Sequence, residues 1–428
     1  MQRGKKFMVL NIKKIFNSDF KNVLLLIVYF FLLLNSYYFV YDIYAHIGFD
    51  FDFSSNNSLI SYISFFLIIL FRILIYFLKK SDYTTLDFIL VLFTIPALVF
   101  FYYNAEVPFY FIISYILLPI IFGLISLGFS KPKFPIIDIN FSKGFLLSIT
   151  LIFIIPVVLI YGINLDFSLF SLGGNIYDVR LESFEKSGRF IGYSISWLSN
   201  VILPISLIYY LRKKEYLLAF ISLIIIIYLF LTFAQKSNFF AIFLVLFFYF
   251  VKNKRKGFNY VILSIIVLIL SLLISTEIWI FPIALFLLYR ILFIPIEITS
   301  FYFDFYENNH TYLSQSIFNP FLEYNYSETP SNLIGELYFG NSLVSANTGI
   351  IGDAFMNFGY VGIIIYLVIF SFLILKLASK IPNIYYGLLL IQLFSFQNSP
   401  MTTVLVTHGF LFFWILLNIS NKVVKNSS

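Results

Sequence analysis

The sequence predicts an all-α polytopic membrane protein of about twelve transmembrane helices, with two larger external loops and both termini cytoplasmic. Three observations lead there. The chain is 61% hydrophobic and 11% charged, with a mean hydropathy of +0.93, a composition whose main solvent is lipid. Its apolar residues gather into runs of about 20 residues, the length a helix needs to cross roughly 30 Å of hydrocarbon. Its cations are unevenly placed: the 85 residues from Ile291 to Leu375 hold no Lys or Arg, yet carry Glu297, Asp304, Glu307, Glu323, Glu328, Glu336 and Asp353.

Taken in order, a basic segment (Arg3, Lys5, Lys6, Lys13, Lys14, Lys21) precedes the first apolar run. No small-residue cleavage site follows it, so an uncleaved first span is expected. Spans are expected at 22–41, 59–78, 86–103, 109–128 and 145–163, followed by a first large external loop over 164–190. Further spans are expected at 191–211, 216–234, 236–251 and 258–275, then a second large external loop over 275–358, then spans at 359–379, 383–397 and 402–420. With the N-terminus inside, 23 of the 28 cations fall in cytoplasmic segments, leaving Arg180, Lys186, Arg189, Lys236 and Arg290 outside. The positive-inside rule selects this orientation. Ile278 to Ile298 is apolar but interrupted by Pro282, Arg290 and Pro295. Counting it as a span would reverse every later segment, so a re-entrant or interfacial helix within the second loop is expected. Residues 1–428 then form a single integral membrane domain.

Several chemistries are excluded or weak. With no Cys there are no disulfides, Cys-ligated zinc sites or thiol nucleophiles. No metal-ligand cluster or cofactor motif is seen; Asp50-Phe51-Asp52 is a D-x-D string too short to define a metal site. The 21% aromatic content is not read as a binding code. Polar residues within spans are few, and Asn35, Asn200 and His408 are read as interhelical hydrogen-bonding groups. That argues against ion-coupled transport, which needs ionisable groups at membrane depth, and places the titratable chemistry outside.

The five outer cations have bland readings: a salt-bridged surface helix for the loop carrying Asp178, Arg180, Glu182, Glu185, Lys186 and Arg189, and a snorkelling end for Lys236. Arg290, inside an apolar segment, needs an anionic partner. A diphosphate would suit these scarce cations, since Arg binds phosphate oxygens bidentately, Lys adds a point charge, and both stabilise a departing diphosphate. Nucleotide donors are not expected outside a cell membrane, so a polyprenyl-diphosphate-linked sugar is the natural anionic substrate. On the acceptor side, His310 and Asp353 are the candidates to orient or deprotonate a sugar hydroxyl.

The string Ser345 to Gly362, with Gly352, Asp353, Phe355, Asn357, Phe358, Gly359 and Gly362, resembles the end of the large outer loop in Wzy-type O-antigen or oligosaccharide repeat-unit polymerases. Tyr177, Asp178, Val179 and Arg180, followed by Gly192, Tyr193, Trp197 and Pro204, resemble that family's arginine-bearing outer loop. The second loop departs from the family in having only Arg290. The resemblance implies a cofactor-free glycosyltransferase of the bacterial cytoplasmic (inner) membrane. It would join undecaprenyl-diphosphate-linked oligosaccharide repeat units into an O-antigen, capsule or exopolysaccharide at the external leaflet. Arg180 and Arg189, with Arg290 or Lys236, would hold the donor diphosphate. Asp353 or His310 would engage the acceptor, and Gly352, Asn357 and Gly359 form the loop signature. Lipid, a chain-length regulator and a flippase are the implied partners, with no nucleic acid. Alternatives are an O-antigen ligase, a polyprenyl-phosphate-sugar-dependent glycosyltransferase using Asp50 and Asp52, and a lipid-linked oligosaccharide flippase, which would line its bundle with cations.

Overall fold

The computed structural model describes residues 2–44, 57–78, 83–104, 106–128, 141–163, 165–170, 188–234, 236–274, 281–316, 319–341 and 344–426. Among these residues the regular structure is entirely helical. In chain order the helices are α1 (Gln2–Tyr44), α2 (Asn57–Phe77), α3 (Tyr83–Tyr103), α4 (Phe109–Gly128) and α5 (Lys143–Tyr161). Next come α6 (Arg189–Trp197 continued through Leu203–Arg212), α7 (Tyr216–Phe233), α8 (Lys236–Val251) and α9 (Lys254–Ile274). Then follow α10 (Phe281–Leu288 continued through Ile294–Phe305), α11 (Pro330–Phe339), α12 (Ile350–Lys380), α13 (Tyr386–Asn398), α14 (Met401–Leu405) and α15 (Phe410–Asn426). Eleven stretches among the described residues are long and apolar enough to cross a membrane, so the chain is a polytopic helical membrane protein. It divides into two compact units, one of Met1–Lys131 with Arg255–Leu375, the other of Pro132–Lys254 with Lys376–Ser428.

In the first unit, α2 shows how these helices distinguish lipid from protein. Leu59, Ile63, Phe66, Leu67, Leu70, Leu74 and Phe77 are exposed, whereas Phe65, Ile68, Ile69, Arg72, Ile75 and Tyr76 are buried. The spacing of three and four residues gives one face to each environment. Arg72 lies on the protein face with a fully buried side chain. Its Nε and Nη2 donate to the two carboxylate oxygens of Asp87 at 2.8 and 2.9 Å, and Nη1 donates to Asp19 at 2.6 Å. Arg255 reaches Asp19 at 3.4 Å and donates to the Tyr83 hydroxyl at 2.9 Å, while Asn22 donates to Asp87 at 3.3 Å. Two cations and two carboxylates thus tie α1, α2, α3 and α9 together. Arg72, one of the cations counted in the cytoplasmic segments, is buried within the unit: carboxylates from two neighbouring helices make its burial tolerable.

Three helices contain one widened turn: Leu90–Thr94 in α3, Leu198–Ile202 in α6 and Tyr289–Phe293 in α10. Each is followed two residues later by a proline, Pro96, Pro204 or Pro295. Proline has no N–H and its ring collides with the carbonyl four residues back. Widening the turn to an i→i+5 register moves that carbonyl away. The next backbone N–H accordingly donates to Leu90, Leu198 or Tyr289 respectively.

The path of α10 follows from its neighbours in the same unit. The starts of α9 and α3 lie together, with Arg255 on Tyr83 and Phe258 edge-on to Phe88 at 5.0 Å. The widened turns of α10 and α3 touch, and Ile294–Phe305 runs along Ile95–Tyr103. Phe303 lies against Phe111 at 5.3 Å, and Tyr110, at the start of α4, donates to Glu307 at 2.9 Å. The C-terminal end of α10 therefore lies beside the C-terminal part of α3 and the start of α4. By length and composition Ala284–Phe305 also qualifies as a span. Most of the described residues of Ile294–Phe305 are buried, unlike a helix lying at an interface with one face in lipid and one in water. At that same end α12 begins, with Phe355 stacked on Phe303 at 4.0 Å, and it descends until Phe370 meets Phe93 at 6.2 Å.

In the second unit, α6 and α7 form a hairpin turned by Lys213 and Lys214, the latter at φ 63°. Gly387 lets α13 approach α8 so closely that a Cβ there would lie 2.7 Å from the Cα of Val245, the small-residue contact favoured between membrane helices. Trp197 stacks on Phe412 at 4.6 Å and donates its indole N–H to the Val406 carbonyl at 2.9 Å. The ammonium groups of Lys376 and Lys380 sit over Trp414 at 4.4 and 5.2 Å. Two expected spans come out short. The 16 residues of α8 and 13 of α13 rise about 24 and 20 Å at 1.5 Å per residue. The break at Ser399 and Pro400 ends α13.

Removing the Arg72 side chain leaves Asp87 buried and unpaired, so Arg72→Met is expected to cost roughly 3–5 kcal/mol in unfolding of the detergent-solubilised protein. Arg255→Met, whose partly exposed side chain makes the longer ion pair, is expected to cost about 1 kcal/mol or less. Equal losses for the two variants would show that Arg72 does not organise this cluster.

Candidate functional site

The sequence expectation placed a loop up to Phe358 and a helix from Gly359. The structure instead starts α12 at Ile350 and breaks it at Phe358 (φ −141°) and Gly359 (φ 59°, ψ −143°). The glycines mark close approaches of the chain to itself. A Cβ on Gly352 would collide with the Thr348 hydroxyl, and one on Gly362 with the Ala354 carbonyl. One on Gly359 would stand 2.8 Å from His310 Nε2, at a backbone conformation that side chains with a Cβ rarely adopt. The signature is thus a broken helix start, and the backbone it lets in closely is the chain's own.

Asn357 is the hub of this break and is fully buried. Its Nδ2 donates to the Asp353 carbonyl at 2.8 Å and to Asp353 Oδ1 at 2.9 Å. Its Oδ1 accepts from Thr311 Oγ1 at 2.8 Å, the Leu313 N–H at 2.7 Å and Gln315 Nε2 at 3.2 Å. Because a backbone N–H can only donate, the Leu313 contact fixes which way the amide points. Two backbone bonds, Thr311 N–H to Met356 O at 2.9 Å and Tyr312 N–H to Asn357 O at 3.2 Å, strap the 310–316 segment onto the break. That strap needs Tyr312 and Leu313 at φ 51° and 67°.

Asp353 is only 2% exposed, within electrostatic reach of the phenols of Tyr302 and Tyr366. His310, beside it on the strap, is half-buried and packs edge-on to Phe355 at 5.6 Å. Its Nδ1 has no hydrogen-bond partner among the described residues. Nearby, the Tyr306 and Tyr324 phenols face each other, and Gln315 Oε1 also lacks a partner. Burial raises the Tyr306 phenol well above its ordinary range and pushes Tyr324 up to about 12, so both are hydrogen-bond donors at neutral pH. Exposed around them are Asp304, paired with Tyr338, and Glu307, paired with Tyr110. This end of the unit therefore offers a histidine, phenols and carboxylates beside aromatic faces, groups suited to binding and activating a polyol hydroxyl.

Of the sequence candidates, Gly352, Asp353, Asn357, Gly359 and His310 come together in the first unit. Arg290, in the widened turn of α10, is exposed there. Arg189 and Lys236 begin α6 and α8 in the second unit. Arg180, with Asp50 and Asp52, lies outside the described residues. No cluster of metal-ligating side chains occurs among the described residues. Sequence reading missed the Asn357 hub, although Asn357 stood in the signature, because its partners come from a loop more than forty residues upstream. It also missed Tyr306 and Tyr324, which carry no motif. No family model matches the chain, and no curated protein or solved structure matches it.

Asn357→Ala would strand the Leu313 N–H and Asp353 together, and is expected to destabilise by about 1–3 kcal/mol. Gly359→Ala is expected to cost more than about 1 kcal/mol because its φ is positive and His310 blocks the Cβ. Both are measured by unfolding in detergent. A Gly359→Ala variant as stable as the parent would contradict the break as drawn.

Proposed function

We propose that this protein is a repeat-unit polymerase acting at the external leaflet of a bacterial cytoplasmic membrane, transferring a glycan from undecaprenyl diphosphate to a lipid-linked acceptor unit. The observation that supports this reading best is the hydrogen-bonded chain from Asp353 through Asn357 to the strap that carries His310. It joins the polymerase-like string to His310, whose Nδ1 has no hydrogen-bond partner among the described residues. His310 is then the group that meets the acceptor hydroxyl, taking its proton as the oxygen attacks the donor anomeric carbon. The bond to the diphosphate breaks, and the departing diphosphate keeps the electron pair. Asp353 is a positioning residue that fixes the strap through Asn357. Arg180 and Arg189, with Lys236 or Arg290, hold the donor diphosphate as its charge develops.

This division of labour is tested by surface glycan length in a strain carrying each variant, with membrane insertion checked separately. Arg180→Ala and His310→Ala are expected to leave glycans one repeat long. Asp353→Asn, which keeps a polar partner for Asn357, is expected to retain partial polymer. Long chains from His310→Ala would remove it from the chemistry. Polymer retained on the carrier, units trapped inside, or an altered repeat unit would point instead to a ligase, a flippase or a sugar transferase.

A further inference from the structure

Glu297 is the one acidic residue of Ile294–Phe305 that faces the protein interior; it is 1% exposed, and neither carboxylate oxygen has a hydrogen-bond partner among the described residues. The contrast within the same unit is direct, because Asp87 is equally buried but takes two bonds from Arg72 and one from Asn22. A carboxylate buried without a counter-charge costs several kcal/mol or more, and such groups shed the charge instead.

Among the described residues, the elements against Ile294–Phe305 supply no cation. On α4, the Tyr115 phenol lies beside Thr299 and Tyr110 donates to Glu307. On α10 itself Arg290 is exposed. On α3, Tyr103 donates to the Leu34 carbonyl and Tyr102 packs edge-on to Tyr62. On α11, Glu336 is exposed and Tyr338 is bonded to Asp304. At the start of α12, Asp353 is held by Asn357.

We propose that Glu297 is a proton-binding site embedded in the first unit, held as the neutral acid in this conformation. Release breaks the O–H bond, leaves the electron pair on the carboxylate and passes the proton to water. It therefore requires Ile294–Phe305 to shift until water or a cation reaches the group. Proton occupancy would thus hold the embedded segment in place. The proposal does not rest on the glycosyl-transfer reading.

The test uses the full-length protein in lipid bilayers. Infrared spectra at neutral pH should show a carboxylic-acid carbonyl band that is lost in Glu297→Gln. N,N′-Dicyclohexylcarbodiimide, an apolar reagent selective for protonated carboxyls, should modify Glu297 by peptide mass mapping, with modification falling as pH rises. Gln is neutral and nearly isosteric, so the variant should insert normally. If it does not, the carbodiimide adduct on the parent protein decides alone: present at Glu297 it supports the site, absent it overturns it. A parent spectrum unchanged by Glu297→Gln overturns it as well.

Discussion

Charge removed from water must be answered inside the bundle, and that constraint organises the first unit. The Arg72 guanidinium presents a planar fork, and Asp87 fills two of its donors while Asp19 takes a third. The geometry is bidentate and the pair is almost fully desolvated, conditions under which losing one partner costs far more than the pair contributes against a hydrophobic substitute. What such a cluster supplies is registration. Asp19, Arg72, Asp87 and Arg255 come from four helices, so a helix displaced by one turn would strand a charge in hydrocarbon. Helices held only by Phe, Ile and Leu, which lipid solvates as well as protein does, have no such penalty for slipping.

Broken helices are the second organising feature, and they arise in two ways. Pro96, Pro204 and Pro295 each impose a widened turn because the ring excludes the ordinary register. Gly359 permits a break through a positive φ, and the Asn357 side chain then pays for it by serving the strap that packs there. The proline breaks keep the chain helical. The glycine break separates a short segment, Ile350 to Asn357, from the long apolar run that follows, and so sets Asp353 above the part of α12 that meets Phe93 and the bundle interior.

Much of this architecture was legible from composition and hydropathy. Ten of the expected spans correspond to stretches long and apolar enough to cross, because lipid demands length and apolarity and little else. Legibility failed where interaction replaced hydropathy. Arg72 was only one of the 23 cations counted in cytoplasmic segments, because the sequence does not show Asp19 and Asp87 beside it. Residues 383–397 read as a span because they are apolar, although Asn383–Tyr385 form a tight turn and the helix proper, Tyr386–Asn398, has 13 residues. The helix Pro330–Phe339 did leave a signal: Thr329 caps it, Pro330 opens it and Gly340 closes it at φ 65°, start and stop residues of the usual kind. It was overlooked because its ten residues lie in a polar stretch with no strong period.

The candidate site shows the same divide between residue type and partner. Gly352, Asn357 and Gly359 could be picked out from the string, but their roles could not, since each role is defined by Thr348, by the 311–315 strap or by His310. A buried carboxylate bound to an amide differs chemically from an exposed one: its proton affinity and reach are committed to holding structure. Of the two acceptor-side candidates, Asp353 is thus committed to Asn357, and the proposed reading assigns the substrate hydroxyl to the half-buried His310. The cation-free stretch from Ile291 to Leu375 acquires a physical sense in that light. Its carboxylates are divided among distinct tasks: Asp353 is bonded to Asn357, Asp304 and Glu307 are paired with phenols, and Glu297 is buried with no partner among the described residues. A cation placed among them would compete for all of these arrangements at once.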